Sequence, residues 1–440
     1  MNPVPSQQSW CKQKRQQLCK ALPKDSAAII FANHEQQRSN DTYFIFRQHS
    51  DFHYLTAFPE PDAVMVLLPN REAGEFVLFN RPADPAAEQW DGKRVGQTLA
   101  CEYYQADQAY ALEQLDVVMP TLLAGYHTVY YALGQDSQHD KKVMQWLDSL
   151  RKQQRKGITM PRQLADIRDI LHEQRLIKDD YELEQMRHVI NISARTHALV
   201  MQHCRPLMYE YQLEALLTQE FRSQGCQGHA YAPIVASGAN ACTLHYITNN
   251  RQIEGGDLVL IDAGAEYQCY AADITRTFPA NGKFSAEQRA IYEVVLQAQL
   301  AAIQVAKPRK TWDNMQEVII KVICEGLCEL GLLQGSLEEL IETKAYRQFY
   351  MHNSGHWLGL DVHDVGAYKQ ANQWRKLQPG MVLTIEPGIY ISPGDPRIAK
   401  KWWGIGVRIE DDVLITKKGN EILSAAVPKT IEDIEALMAS

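Results

Sequence analysis

The sequence predicts an α+β protein made of two domains. Its 440 residues exceed what one ordinary hydrophobic core organises, so we expect the chain to divide. The first half alternates short apolar runs with amphipathic segments, whereas the second half carries long helical patterns separated by strands. We therefore predict a smaller three-layer α/β domain over residues 1–174 and a larger α+β domain over residues 175–440.

The elements of the first domain are predicted from runs bounded by turn residues. Residues 63–69 (AVMVLLP) and 75–81 (EFVLFNR) are apolar and β-branched, as expected of buried strands. Residues 136–155 are polar with spaced Val, Met, Trp and Leu, which favours an amphipathic helix. The polar stretch 152–170 is then predicted to link the two domains.

Three helices of the second domain are predicted from their N-terminal signals. Asp179 and Glu182 have the spacing of a capping box, in which each side chain bonds the other residue's backbone N–H. Ser285 and Gln288 repeat this spacing before a second long helix, and Thr311 can cap a third. Strands are predicted between and after these helices.

The composition is that of a soluble globular protein without a membrane or nucleic-acid partner. Hydrophobic residues make up 45% and charged residues 22%, and the net charge of −8 argues against binding an acidic polymer. The longest apolar runs are too short to span a bilayer, and residues 1–20 lack the apolar core of a secretory signal. Nine cysteines without paired zinc spacing suit reduced thiols, so we expect a cytoplasmic protein.

Four acids stand within or at the ends of apolar strands of the second domain. Asp262 ends the run LVLI, and a turn centred on residues 267–268 would place Asp273 opposite it. Glu386 follows VLTI, and Glu410 is predicted to lie within the strand GIGVRIEDDVLIT. Burying such acids together is costly unless a cation lies between them, so the pattern predicts a metal site.

The segment His352–Gly366, HNSGHWLGLDVHDVG, brings three histidines and three glycines together. Residues 353–355 are poor helix formers, and no glutamate follows His352, so this is not the HExxH helix of zinc proteases. We expect an extended chain in which one histidine joins the acids and the others face substrate. Taken singly, each of these residues could instead be structural, for example an aspartate paired with Arg276.

Together these residues resemble the pita-bread metallopeptidase family, which includes methionine aminopeptidase, aminopeptidase P and prolidase. The matching stretches are IDAGAEYQCYAADITRTFP, HNSGHWLGLDVHDVG, TIEPGIYI and GVRIEDD, in the family's order. FIFRQHSDFHYLTAFPEPDAVMVLLP resembles the N-terminal domain of bacterial aminopeptidase P, so the resemblance covers nearly the whole chain. Asn353 stands where relatives often carry glycine, which affects only the local loop.

The resemblance implies a pita-bread fold of two similar halves in the second domain and two divalent cations. The implied metal ligands are Asp262, Asp273, His356, Glu386 and Glu410, of which Asp273 and Glu410 would bridge the pair. The residues implied to act on substrate or on protons are His245, His352, His363, Glu386 and Arg408. Hard oxygen donors with one imidazole suit Mn²⁺, whereas sulfur-rich sites favour Zn²⁺, and carboxylate ligands alone leave Co²⁺ and Zn²⁺ open.

The reaction implied by the resemblance is hydrolysis of the bond between an N-terminal residue and a following proline in peptides. The metal pair would lower the pKa of a water molecule between the ions. Glu386 would take its proton and pass it to the leaving nitrogen, while Arg408 would offset residual negative charge. His245 and His363 would contact the substrate or stabilise the tetrahedral intermediate.

Three other functions stay open at the level of sequence. A prolidase would share the metal set but accept only Xaa-Pro dipeptides. A non-catalytic binding protein would keep the fold, and a creatinase-like hydrolase would cleave a carbon–nitrogen bond without metal. In relatives the N-terminal domain serves assembly and substrate access, so we expect a homo-oligomer, a tetramer or a dimer. Residues 83–96, with Trp90, are either a plain surface loop or a segment that reaches a neighbouring subunit's site.

Overall fold

The computed structural model describes residues 5–440, and the chain divides into two compact units, Met1–Gln174 and Arg175–Ser440. In chain order, helices α1 to α13 are Pro5–Ala21, Ser50–Thr56, Pro85–Asp91, Gly96–Tyr104, Leu115–Leu123, Ser137–Arg151, Arg168–Leu176, Asp180–His203, Glu210–Ser223, Ala286–Val305, Trp312–Glu329, Leu337–Glu342 and Ile431–Ala439. Strands β1 to β21 are Ser26–Phe31, Gln37–Ser39, Thr42–Tyr43, Val64–Leu67, Phe76–Asn80, Gln108–Ala111, Thr128–Tyr131, Gln163–Asp166, Gly228–His229, Ile234–Ser237, Leu258–Asp262, Ala265–Tyr267, Tyr270–Ala271, Thr275–Pro279, Lys369–Gln370, Gln373–Trp374, Val382–Ile385, Gly388–Ile391, Ile405–Arg408, Asp411–Ile415 and Asn420–Ile422. Within residues 5–440, every helix is too short or too polar to cross a bilayer.

The first unit is built on a six-stranded mixed sheet with the strand order β6-β5-β4-β1-β7-β8. β1 pairs antiparallel with β4 but parallel with β7, and β7 pairs parallel with β8. Because β1, β7 and β8 run in one direction, their carboxyl ends lie at the same edge of the sheet. Helices α5 and α6 pack on this sheet through a core that includes Met119, Val129 and Trp146.

Most predicted elements of the first unit are present. The two apolar runs form β4 and β5, and Asp136 caps α6 by accepting hydrogen bonds from two backbone N–H groups. The predicted linker 152–170 is wrong, since it contains β8, which forms an edge of the sheet and has three half-buried residues after the exposed Gln163. The polar segment 83–96 contains a short helix, α3, on which Trp90 is 88% exposed.

The second unit combines long helices with several small sheets. Two of its three-stranded sheets have the orders β10-β11-β14 and β17-β20-β21, and β18 pairs with β19. The predicted capping boxes of α8 and α10 are present at Asp179 and Ser285. Helices α10 and α11 lie so close that a Cβ on Gly326 would come within 2.5 Å of a Val294 methyl carbon. Glycine at this position therefore permits the packing.

The predicted register of the hairpin that carries the aspartates is wrong by one residue at the turn. Gln268 and Cys269 both have positive φ, as a two-residue hairpin turn requires, and they centre the turn one position later than expected. Asp262 is consequently paired with Thr275 rather than with Asp273. Asp273 lies two residues from Thr275, which still places it diagonally across from Asp262 on the same face.

Candidate active site

The four predicted acids of the second unit lie where strands begin or end. Asp262 is the last residue of β11, and Glu386 directly follows β17. Asp273 stands between β13 and β14, and Glu410 occupies the short connection between β19 and β20. The expectation that Glu410 lies inside a strand is wrong, because the chain passes from one sheet to another at this point.

Three predicted ligands from distant parts of the chain meet at one point. Asp273, His356 and Glu410 each place a ligand atom within 4.8 Å of the others. His356 Nε2 lies 3.2 Å from Asp273 Oδ2 and 3.9 Å from Glu386 Oε1. The fold therefore brings together side chains separated by up to 137 positions in sequence, from 273 to 410.

Tyr231 joins the two aspartates, and sequence reasoning missed it. Its hydroxyl lies 2.6 Å from Asp262 Oδ1 and 2.5 Å from Asp273 Oδ1. Burial, and then the charges of these carboxylates, raise the pKa of Tyr231 well above its usual value. The surrounding sequence HAYAPIV contains no motif that marks this tyrosine, so only the tertiary contact identifies it.

His356 is oriented by its own backbone neighbourhood. Its Nδ1 lies 2.9 Å from the Trp357 carbonyl oxygen and donates to it, which turns Nε2 toward the acids. Gly355 allows this approach, since its φ is +152° and a Cβ there would lie 2.1 Å from the Thr384 carbonyl oxygen. As predicted, residues 352–366 contain no helix, but they follow an irregular path with several bends and one β-bridge, at Trp357.

The negative charge of the clustered acids exceeds the positive charge of the basic groups near them. Burial raises the pKa of Glu386 to about 8, and burial followed by the charge of Asp273 raises that of Glu410 well above its usual value. Burial opposes the protonation of His356, but the hydrogen bond and charge of Asp273 outweigh it and raise the pKa to about 9. These shifts are those of carboxylates crowded together without sufficient counter-charge.

The donor set fits hard divalent cations. Among residues 5–440, no lysine or arginine lies within ion-pair distance of the Glu410 carboxylate, which accepts a hydrogen bond from Thr275 Oγ1 at 2.7 Å. Four carboxylates with one imidazole offer oxygen and nitrogen ligands and no sulfur. Such a set suits Mn²⁺, Mg²⁺ or Zn²⁺, and two dications would balance the four acids.

Arg408 and His352 are connected through one tyrosine hydroxyl. Arg408 donates to Asp262 Oδ2 at 2.6 Å and to Tyr390 Oη at 3.1 Å. His352 Nε2 lies 2.9 Å from the same hydroxyl, and burial lowers the pKa of His352 to about 4. This histidine is therefore neutral at physiological pH, while Arg408 supplies the positive charge beside Asp262.

His245 and His363 line the same cavity, which has a volume of about 360 Å³. Both are exposed, and the His363 ring lies 4.3 Å from the His356 ring. Burial and the charge of His356 lower the pKa of His363, so it remains neutral. The other lining residues are Tyr231, Ala232, Ile234, Leu244, Ile247, Asp262, Asp273, His352, Asn353, His356, Val362, Glu386, Arg408 and Glu410.

Two further sets of residues in this region are structural. Asp364 is buried against Arg175 and Lys178, at 2.5 and 2.8 Å, and Asp361 bonds the same arginine. Trp357 is buried and packs against neighbouring aromatic rings. Neither Trp357 nor the Trp402–Trp403 pair is among the lining residues of the 360 Å³ cavity.

Comparisons with known proteins extend over nearly the whole chain. The model of Metallopeptidase family M24 matches residues 184–417, and that of the Aminopeptidase P, N-terminal domain, matches residues 11–130. Xaa-Pro aminopeptidase of Escherichia coli K12 is 45% identical over 98% of this chain and 97% of its own. The solved structure of Pseudomonas aeruginosa aminopeptidase PepP is 49% identical, with a TM-score of 0.98 over 100% and 99% of the two chains. Human Xaa-Pro dipeptidase is 33% identical over 97% of this chain and 92% of its own.

Proposed function

Because the chain belongs to metallopeptidase family M24, we propose that it is an aminopeptidase that hydrolyses the bond between an N-terminal residue and a following proline. The convergence of the four acids and His356 on one cavity is the observation that carries this proposal. Full-length similarity to an Xaa-Pro aminopeptidase supports the choice of substrate.

Five residues would hold a pair of divalent cations, and we propose Mn²⁺ as the ion. Asp273 and Glu410 would bind both ions, Asp262 would bind one, and His356 with Glu386 would bind the other. Such a pair supplies, when bound, a water of lowered pKa and polarisation of the scissile carbonyl. The crowding of the acids supports the proposal, since two dications would remove their mutual repulsion.

Glu386 is proposed to move the proton that the reaction requires. Its side chain is 18% exposed and lines the cavity, so it can contact both an attacking water and a leaving group. The leaving nitrogen of any hydrolysed peptide bond must receive a proton, and a proline nitrogen carries no hydrogen of its own in that bond. A carboxylate at the cavity wall can accept that proton from water and deliver it.

Three histidines are proposed to orient the substrate, two directly and one through a neighbouring tyrosine. His245 and His363 reach the cavity from exposed positions and can donate N–H groups to a carbonyl oxygen. His352 acts through Tyr390, whose hydroxyl also accepts from Arg408. This chain of contacts holds Arg408 beside Asp262, where its charge offsets excess negative charge.

Similarity favours an aminopeptidase over a dipeptidase, because identity is 45% to the former and 33% to the latter. A peptide series that differs only in the number of residues after proline tests this choice. We expect the chain with Mn²⁺ to release the N-terminal residue from tripeptides and longer peptides. Cleavage of Xaa-Pro dipeptides alone would make the substrate assignment wrong.

A metal titration separates the remaining alternatives. A non-catalytic binding protein would show no turnover at any Mn²⁺ concentration, and a creatinase-like hydrolase would keep its activity in chelator. We expect activity that is absent in chelator and returns in proportion to added Mn²⁺. All four acids are retained and converge, which supports the metal-dependent enzyme over both alternatives.

We further propose that the first unit mediates assembly into a dimer or tetramer in the cytoplasm, and that it controls access of peptides. Within residues 5–440, none of the nine cysteines is in a disulfide bond, as suits a reducing compartment. The exposed Trp90 on α3 is a candidate contact between subunits. Light scattering on the intact chain and on Trp90→Ala tests the assembly, and an unchanged mass would remove Trp90 from the interface.

A further inference from the structure

A second group of metal-ligating side chains lies in the first unit. His34, Asp136 and His139 each place a ligand atom within 4.8 Å of the others. A cavity of about 180 Å³ lies beside them and is lined by all three. The family comparison gives this group no role, and the hydrolysis proposed for the second unit does not use it.

The position of this group in the sheet is one that often binds ligands. His34 follows the end of β1 by three residues, and Asp136 follows the end of β7 by five. β1 and β7 are parallel neighbours, so the segments after them leave the same edge of the sheet. Ile167, which directly follows β8, also lines the cavity. In α/β proteins, ligands characteristically bind beyond the carboxyl ends of parallel strands.

Each of the three side chains is already held by the protein and keeps a ligand atom available. His34 Nδ1 contacts Asp62 Oδ1 at 2.5 Å, which leaves Nε2 for an ion and resembles the carboxylate contact that orients metal-binding histidines. Asp136 Oδ1 accepts from the backbone N–H groups of Gln138 and His139 at 2.7 and 3.3 Å, which leaves Oδ2.

The His139 ring is fixed by stacking. It lies parallel to the Phe31 ring, with a centroid separation of 3.8 Å and an angle of 7° between the planes. Burial lowers the pKa of His139, so the ring is neutral at physiological pH. The Asp62 carboxylate accepts a hydrogen bond from His34 and so raises the pKa of that histidine, which means that an ion must displace a proton there at acidic pH.

We propose that His34, Asp136 and His139 form a Zn²⁺ site in the first unit. Two imidazoles and one carboxylate make a three-ligand set with a fourth position open to water, which suits Zn²⁺. The acid-rich centre of the second unit, by contrast, offers one imidazole among four carboxylates. A bound ion would tie the segment after β1 to the start of α6 and so stabilise this edge of the sheet.

Metal counting on the full-length chain tests the site independently of catalysis. The chain is stripped of metal, dialysed against Zn²⁺ near neutral pH, and its total bound metal per chain is measured by emission spectroscopy. We expect His34→Ala to bind one equivalent of Zn²⁺ less than the unaltered chain. This difference does not depend on how many ions the second unit binds. His34 is half exposed, so its removal leaves the fold intact.

Two further variants decide whether the lost equivalent belongs to this site. Asp136→Ser keeps a side-chain oxygen that can cap α6 but removes the carboxylate, and we expect it to lose the same equivalent. His127→Ala removes an exposed histidine of the same unit and is expected to bind metal normally. Peptidase activity is expected to stay unchanged in His34→Ala, which separates this site from the acid-rich centre.

Two outcomes of the metal analysis would overturn the proposed Zn²⁺ site. Equal Zn²⁺ content in the unaltered chain, His34→Ala and Asp136→Ser would show that no ion binds at these residues. Loss of the equivalent from His127→Ala would place the ion elsewhere on the surface. Co²⁺ in place of Zn²⁺ gives a second measurement, since its visible absorption is expected to fall by the share of this site in His34→Ala and in Asp136→Ser but not in His127→Ala.

Discussion

Glu410 and Asp411 are consecutive and fully buried, yet their carboxylates have opposite surroundings. Asp411 accepts from Arg276 Nη2 at 2.7 Å and from Lys429 Nζ at 2.6 Å. Burial alone would raise the pKa of Asp411, but these two cations outweigh it and lower the pKa. Glu410 has a hydroxyl partner and neighbouring acids, so burial raises its pKa instead.

This difference in surroundings separates acids that are neutralised by the protein's own cations from acids that lack such a partner. Asp364, with Arg175 and Lys178, belongs with Asp411, since its own protein cations lower its pKa against the effect of burial. Arg276 therefore pairs with Asp411, and the alternative in which it pairs with one of the two hairpin aspartates is wrong. Among the residues that the structure describes, Glu410 has no such cation partner, and its pKa is raised by burial and by the neighbouring acids of the candidate centre.

The largest effect is expected from Asp273→Ala, which removes the proposed ligand shared by both ions. We expect kcat for an Xaa-Pro peptide to fall on the order of a thousandfold or more, with a loss of bound metal. Steady-state kinetics and metal analysis measure the two losses. If this variant cleaved substrate at the normal rate and bound as much metal as the unaltered chain, the distinction between Asp411 and the acids of the candidate centre would be wrong.

The second prediction concerns stability and compares the two neighbours directly. Asp411→Ala leaves Arg276 buried without its partner, so we expect the free energy of unfolding to fall by about 3–5 kcal/mol. Glu410→Gln removes a repelling charge, and we expect the metal-free chain to keep its stability while activity is lost. Denaturant unfolding in chelator measures both variants. Equal destabilisation by the two changes would contradict the distinction.

Removal of metal is expected to make stability fall as pH rises. The folded-state pKa values of Glu386 and His356, about 8 and about 9, both exceed their ordinary values of 4.5 and 6.5. The folded chain thus holds protons that the unfolded chain has released, from pH 4.5 to 8 and from pH 6.5 to 9. Stability is lost across these windows by at most about 1.4 kcal/mol per pH unit for each group. Thermal unfolding in chelator between pH 5 and 9 measures the slope, and added Mn²⁺ should remove it.

The smallest effect is expected at Asp412, the next acid along the strand. Its Oδ2 accepts from the Asp273 backbone N–H at 3.2 Å, and burial followed by the charge of Asp273 raises its pKa well above the usual value. A carboxyl group that is already neutral can be replaced by an amide, so we expect Asp412→Asn to change kcat by less than about threefold. A loss as large as that of Asp273→Ala would show that Asp412 is charged and belongs to the centre.

The predicted family, fold class and aminopeptidase activity are confirmed by the comparisons, which rest on long stretches of matching sequence. Manganese, the oligomeric state, the cellular location, the domain roles and the site residues stay predictions. The features that the local sequence predicted correctly share one property, which is that they join residues close together along the chain. The capping boxes at Asp179 and Ser285 join groups three positions apart, and backbone geometry determines such contacts.

By itself, then, the sequence determined the family, the helix starts and the presence of acids at the ends of apolar strands. Only the tertiary structure decided which buried acids are neutralised, since Glu410 and Asp411 cannot be told apart along the chain. The role of Tyr231 and the presence of β8 inside the expected linker likewise depended on partners far away in sequence. The physical reason is that the charge state of a buried group depends on what the fold places against it, whereas periodicity and capping depend on the nearest few residues.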